Sequence, residues 1–235
     1  KSEKIRILVG DIRDKDRLRF AVHGSEIVFH AAALKHVPLC EYNPFEAVCT
    51  NVLGTQNLIE VARLENVKKV ISISTDKAVN PINTMGATKL LAEKLILTGE
   101  LGDNCVTRFS CVRFGNVLNS AGSVIPIFRK QIKNGRPVTI TSDEMVRFFM
   151  SMQHAVSLVL RTAHFMKGKA IFILKMKKLR IKDLAEVMIE KMKSNTKIIT
   201  MGIRKGEKID EALVTEEEEE YLLDAGHFYI LKQNI

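Results

Sequence analysis

Asp76, Lys77 and Lys89 are the residues of this chain whose types and spacing point most directly to chemistry. A carboxyl group and two amines are groups that give and take protons during a reaction. Asp76 and Lys77 sit in Ser-Thr-Asp-Lys-Ala-Val-Asn-Pro (residues 74–81), directly after the apolar stretch Val70-Ile71-Ser72-Ile73. Lys89 follows twelve residues after Lys77, inside Met85-Gly86-Ala87-Thr88-Lys89. Open α/β sheets build active sites where polar side chains gather at the carboxyl end of a buried strand. The competing reading is a plain surface ion pair, and the strand-end placement argues against it.

The elements that must position these residues follow from hydrophobic spacing. Ile5–Val9 reads as a strand ending at Gly10-Asp11, and Asp14–Val22 as a short helix. Glu26–His30 is a strand that runs on into three alanines, and Lys69–Ser74 and Cys105–Arg113 are two more. Between them, 44–64 repeats apolar residues at helical spacing, and Met85–Leu97 forms a helix with Leu90, Leu91, Leu95 and Ile96 inward. The alternation predicts a parallel, doubly wound Rossmann-like α/β sheet with helices on both faces. After Arg113 the pattern breaks into a smaller α/β lobe. Beyond Arg113, helices are expected at Val124–Ile132, Gln153–Phe165 and Ile181–Met192, with strands at Val138–Thr141, Ala170–Leu174 and Lys197–Ile203. Residues 1–115 are expected to be a partial dinucleotide-binding domain. Residues 116–235 are expected to be a substrate lobe, with 152–175 returning to the main sheet. The acidic run Glu216–Glu220 reads as a solvated helix start, where acids favour the positive helix end.

Composition narrows the function classes. The chain has 235 residues, 46% hydrophobic and 27% charged, which suits one large α/β unit or a main domain with a lobe. Its net charge of +9 admits nucleic acid, a membrane surface or an anionic small substrate as partner. Lys and Arg are interspersed with acids and form no basic tail, and the absence of Trp argues against a base-stacking module. No apolar run reaches the ~18 residues of a membrane helix. Cys40, Cys49, Cys105 and Cys111 make no C-x-x-C pair and fit no zinc pattern with histidine. They read as thiols of a reducing cytosol, and no metal is expected.

Seven ordered blocks carry a resemblance. They are residues 29–38 (FHAAALKHVP), Asn51-Val52-Leu53-Gly54-Thr55, residues 74–89, Arg113-Phe114-Gly115-Asn116-Val117-Leu118, Gly122-Ser123-Val124-Ile125-Pro126, Arg147-Phe148-Phe149-Met150 and Gly202-Ile203-Arg204-Lys205-Gly206-Glu207-Lys208. With them the chain resembles the extended short-chain dehydrogenase/reductases. Within that group it resembles the polysaccharide-biosynthesis branch that contains inverting UDP-N-acetylglucosamine 4,6-dehydratases. The resemblance implies an NADP-dependent (or NAD-dependent) cytoplasmic lyase for glycan synthesis, acting on a UDP-sugar and not on nucleic acid, and a homo-oligomer when full length.

It also implies roles. Asp76 would protonate the leaving hydroxyl at C6, and Lys77 would take the C5 proton. Thr75 would hydrogen-bond the C4 oxygen. Lys89 would hold the nicotinamide ribose and positive charge near the oxidised carbon. Met85 stands where most of the wider family has a catalytic Tyr. A thioether cannot exchange a proton in that role, and a subset of the branch resembles this chain in carrying Met. For the cofactor the resemblance marks Asp11, Ile12, Ala31, Ala32, Ala33 and Ser74. For the sugar nucleotide it marks Lys35, His36, Asn116, Val124, Arg147, Arg204 and Glu207. Arginine forks suit diphosphate.

One expected feature is missing from the sequence. The glycine-rich dinucleotide fingerprint that should follow a first strand does not occur. The expectation is an amino-terminally truncated sheet that binds NADP weakly or not at all. Two rivals remain: a UDP-N-acetylglucosamine epimerase of the same branch, and a non-catalytic assembly partner.

Overall fold

The computed structural model describes residues 4–100, 105–120 and 122–232. Its main sheet has six strands in the order β1-β2-β3-β7-β11-β10. These are β1 (Ile27–His30), β2 (Lys69–Thr75), β3 (Arg108–Phe114), β7 (Ala170–Leu174), β10 (Leu222–Asp224) and β11 (Phe228–Lys232). The pairs β1/β2, β2/β3 and β3/β7 are parallel, while β11 joins β7, and β10 joins β11, antiparallel. The strands at 222–232 therefore return to this sheet as well as the 152–175 stretch.

Helices cover both faces. On one side α1 (Lys15–Val22), α4 (Gly54–Leu64) and α5 (Thr84–Thr98) bury Leu58, Val61 and Ile96 against Val70, Phe109, Cys111 and Ile173. On the other, α7 (Met152–Phe165) buries Leu158 against Ile71, Val112 and Phe172. Alternate residues of β2 and β3 thus feed opposite cores, as the period-2 geometry of a strand requires. Each aliphatic side chain buried this fully contributes about 1.5–3 kcal/mol. Caps fix where the helices begin: Asp14 accepts the Arg17 amide, and Asn83 accepts the Gly86 amide at 2.8 Å.

The long helical stretch at 44–64 is present but not uniform. It starts as α3 (Pro44–Ala47), passes through a π-helical segment at Val48–Leu53 and continues as α4. Ahead of it, α2 (Val37–Tyr42) follows the loop leaving β1.

The lobe packs α6 (Val124–Lys133) and α8 (Ile181–Lys191) around β5 (Val138–Ile140) and β9 (Ile198–Thr200), burying Phe128, Ile132, Met145 and Ile181. A small sheet of β4 (Asn116–Val117), β6 (Val146–Met150) and β8 (Lys177–Arg180) links it to the main sheet. The acidic run forms the short helix α9 (Glu216–Glu219).

Four expectations need correction. Ile5–Val9 forms no strand: among the described residues none pairs with it, and Ile5, Ile7 and Val9 stand exposed. A lone extended segment gains no ladder hydrogen bonds, so alternation alone cannot make it a strand. In α5, Leu91 points outward, and the buried stripe is Met85, Thr88, Lys89, Ala92, Glu93 and Ile96. The buried face carries polar residues there, which defeats an apolar count. The strands proposed at 105–113 and 197–203 are shorter, covering only β3 and β9. The acidic run is also not wholly solvated. Glu218 accepts from buried Arg113 at 2.7 Å and closes a capping box with Thr215.

Candidate active site

Strand register sets the site. β2 and β3 end opposite one another, Thr75 beside Phe114, so Asp76-Lys77 and Gly115-Asn116 leave the sheet together at its carboxyl end. Asp76–Ala78 turns at once into a single 3₁₀ turn, whose start Thr75 caps through its hydroxyl. That turn points Asp76 inward, fully buried, and leaves Lys77 about one-fifth exposed. Asp76 Oδ1 accepts from the Lys77 ammonium at 3.0 Å and from the Thr75 hydroxyl at 2.9 Å. Asp76 Oδ2 is buried without a hydrogen-bond partner. It faces Gly115, where a Cβ would come within 3.2 Å of it and within 2.8 Å of the Phe148 carbonyl oxygen. A buried carboxylate oxygen without a donor costs about 1–3 kcal/mol or more. The cost falls if that oxygen carries a proton or meets a donor from a ligand.

Two residues complete the charge pattern. Glu211, buried, places Oε1 3.4 Å from the Lys77 ammonium and Oε2 3.6 Å from that of Lys208. Lys208 also donates to the Val79 carbonyl at 2.6 Å. Carboxylates and ammoniums alternate across Asp76, Lys77, Glu211 and Lys208. The sequence reading missed Glu211 because it lies far along the chain, three residues beyond the last resemblance block.

Lys89 enters from α5, 8% exposed, and donates to the Ile73 carbonyl at 2.6 Å. Burial pushes its pKa down. Met85, one turn earlier on α5, packs with Cys40, Ala47 and Val37. The approach of α5 to the Asp76 turn depends on Gly86, where a Cβ would stand 2.3 Å from the Lys77 carbonyl oxygen.

The cofactor set converges in part. Asp11, Ile12, Ala31 and Ala32 line one pocket of about 270 Å³ with Val28 and Leu58. Ala33 lies next in the loop, and Ser74 is buried at the end of β2 with its hydroxyl unpartnered. Asp11 is held at a pKa of about 2, chiefly by the hydrogen bond from the Arg13 guanidinium. Behind the loop, buried His30 contacts the Thr55 hydroxyl at 3.0 Å. Burial, and then the Lys89 charge, lower its pKa to about 4.

The sugar-nucleotide set converges more fully. Asn116, Val124, Arg147, Arg204 and Glu207 line a single pocket of about 250 Å³, with Gly122 and Ser123 at the amino end of α6. His36 is brought against Gly122, where a Cβ would lie 2.9 Å from its ring. Lys35 is exposed in the loop ahead of α2 and does not line that pocket. Arg147 spends much of its fork on the protein itself, donating to the carbonyls of Val146, Lys208 and Ile209 and lying 3.7 Å from Glu207.

Comparison with known proteins decides the family. A family model described as "Polysaccharide biosynthesis protein" matches residues 1–233. The chain belongs to this family. It is 59% identical over 92% of its length to an uncharacterized membrane protein of Methanocaldococcus jannaschii, covering 68% of that protein. It is 41% identical over 98% of its length to an inverting UDP-N-acetylglucosamine 4,6-dehydratase of Campylobacter jejuni, covering 69% of it. A UDP-glucose 4-epimerase of Rickettsia bellii is 44% identical over 96% of the chain and covered to 67%. Among solved structures, Pen from Bacillus thuringiensis superposes with a TM-score of 0.96 at 45% identity, covering 99% of this chain and 74% of Pen. MoeE5 in complex with UDP-glucose and NAD shares the fold at a TM-score of 0.81 and 22% identity, covering 91% of this chain and 78% of that one. The relatives thus include a sugar-nucleotide dehydratase and an epimerase, and this chain has a mostly parallel α/β architecture like that of the solved structures. Among its described residues, no helix is long and apolar enough to cross a membrane.

Proposed function

We propose that the protein is an NADP-dependent UDP-N-acetylglucosamine 4,6-dehydratase that inverts C5, working in the cytoplasm for surface-glycan synthesis. The observation that carries this reading is the buried, unpartnered Oδ2 of Asp76, one residue from the largely sheltered ammonium of Lys77. A dehydratase needs a general acid for the leaving hydroxyl, and a C4 epimerase has no such group to protonate.

The residues fit a dinucleotide and a sugar nucleotide. Asp11, Ile12, Ala31 and Ala32 would hold the first along their shared pocket, with Ala33, Ser74 and Lys89 toward the reacting end. Small side chains at 31–33 let the backbone approach closely. The bound cofactor supplies hydride uptake from C4 and its return at C6. Thr75 orients the C4 oxygen, and the C4 hydroxyl proton passes through the Thr75 hydroxyl to Asp76, which that hydroxyl meets at 2.9 Å. Lys77 removes the C5 proton made acidic by the C4 ketone, and Asp76 protonates the C6 hydroxyl, which leaves as water. Reprotonation at C5 from the other face inverts that centre. Lys89 places its charge beside the oxidised carbon. Met85 has no part in proton transfer, since its thioether sits in an apolar cluster. The diphosphate would lie between Arg204, Arg147 and the amino end of α6, with Asn116, Val124 and Glu207 toward the uridine, and His36 and Lys35, outside that pocket, would face the sugar. We read residues 1–115 as the cofactor half and 116–235 as the substrate half with returning sheet strands, assembled as a homo-oligomer.

Incubation of the protein with UDP-N-acetylglucosamine and NADP⁺, followed by mass spectrometry, tests the reading. The expected product is lighter by one water. An unchanged mass with inverted C4 in the NMR spectrum would assign the epimerase reading. An unchanged mass and configuration with the sugar nucleotide still bound would assign an assembly partner.

A further inference from the structure

We propose that Glu211 is a positioning residue for Lys77, and that it ties the reacting end of β2 to the segment lining the sugar-nucleotide pocket. The inference rests on the assignment of Lys77 as base, but its observations are separate from that assignment. Glu211 is 3% exposed and hydrogen-bonds nothing through Oε2. A carboxylate that deep is retained at the cost of desolvation unless cations face it. The charged groups around it are Lys77 from the 3₁₀ turn and Lys208 from its own segment, at 3.4 and 3.6 Å.

The segment is itself anchored from several sides. Arg147 grips the carbonyls of Lys208 and Ile209 from β6, at 2.7 and 3.0 Å. The side-chain amide of Asn83 donates to the Gly206 carbonyl at 2.7 Å, and Lys208 donates to Val79. Arg204 and Glu207, a few residues earlier, line the pocket. One short stretch of chain therefore touches the pocket at its start and the Lys77 ammonium at its end. Asp76 binds the same ammonium through Oδ1 only, which leaves Oδ2 unencumbered. With Glu211 as second anionic partner, Lys77 need not draw on both oxygens of Asp76.

The test is amine labelling of Lys77 with limiting acetic anhydride at one fixed pH, read by mass spectrometry, beside steady-state kinetics, in the wild-type chain, Glu211→Gln and Glu211→Asp. Loss of the carboxylate is expected to release the Lys77 side chain and raise its labelling, and to lower kcat by about 10- to 100-fold with KM for UDP-N-acetylglucosamine little changed. Glu211→Asp, which keeps the charge, is expected to recover part of both. Lys208→Met, which removes the other cation on Glu211, is expected to lower the labelling of Lys77 and serves if Glu211→Gln folds poorly. Labelling unmoved in both Glu211→Gln and Lys208→Met would overturn the proposal. Labelling that changes in a protein that leaves UDP-N-acetylglucosamine unchanged would sink the dehydratase reading and keep the positioning role.

Discussion

Gly86→Ala should separate the helix that carries Lys89 from the Asp76–Ala78 turn. The added Cβ would lie 2.3 Å from the Lys77 carbonyl oxygen and 3.1 Å from Pro81. The obstructing atom is backbone, so no side-chain rotation relieves it. Reaching ordinary contact, at 3.4 Å or more, requires α5 and the Asp76–Ala78 turn to part by roughly 1 Å. Lys89 rides on α5 and Lys77 on the turn, so their spacing changes by a similar amount. A misplacement of about 1 Å costs roughly 100-fold in rate, near 2.7 kcal/mol of barrier. The same overpacking should destabilise the fold by about 1–3 kcal/mol. The assay is kcat/KM for sugar-nucleotide turnover, beside a thermal melt, at a temperature where the variant is folded. Wild-type kcat/KM in the folded variant would refute the argument that this contact sets the distance between the two lysines.

Three further outcomes follow from buried polar groups and from Met85. His30 has a folded pKa of about 4 against about 6.5 in the unfolded chain, so the unfolded state binds the extra proton between those values. Stability should be intact above pH 6.5 and fall by up to about 3 kcal/mol as pH drops toward 4, and His30→Gln should flatten that slope in melts at pH 7 and 5. Arg113→Met strands the buried carboxylate of Glu93, which Arg113 pairs at 2.8 Å, and frees Glu218. A loss of about 3–5 kcal/mol is expected, lowering Tm by roughly 10 °C; a change under 2 °C would show that the network contributes little. Met85→Tyr should not raise turnover: the ring must enter the cluster of Cys40, Ala47 and Val37, and melting temperature should drop with no gain in kcat.

Much of the site was legible because it lies where local pattern is strongest. A β-branched run followed by Thr-Asp-Lys marks a buried strand and its end, and the structure puts those three residues there. Lys89 was readable from helical spacing, although its helix buries a polar stripe that an apolar count assigns to Leu91 instead. The long-range contacts around these residues were not readable. Lys208 reaches Val79 across 129 positions, and Glu218 reaches Arg113 across 105, with no periodicity to announce either contact. Ile5–Val9 shows the converse failure, since a strand-like alternation specifies a strand only when a neighbour accepts its hydrogen bonds. The π-helical segment was hidden because its apolar positions still fit a helical period.

That π-helical segment has a mechanical consequence. It carries Asn51, whose side-chain amide accepts from the Leu34 N–H at 2.8 Å and donates to the Leu34 carbonyl at 3.0 Å. The same amide donates to the Thr88 hydroxyl, one residue before Lys89. A single side chain thus behaves as a strand neighbour toward the loop of Ala31–His36 and as a rivet toward α5. Whatever moves that loop, whether a nucleotide arriving or leaving, must carry the Lys89 helix with it, or break either the two bonds from buried Asn51 to Leu34 or the one to Thr88.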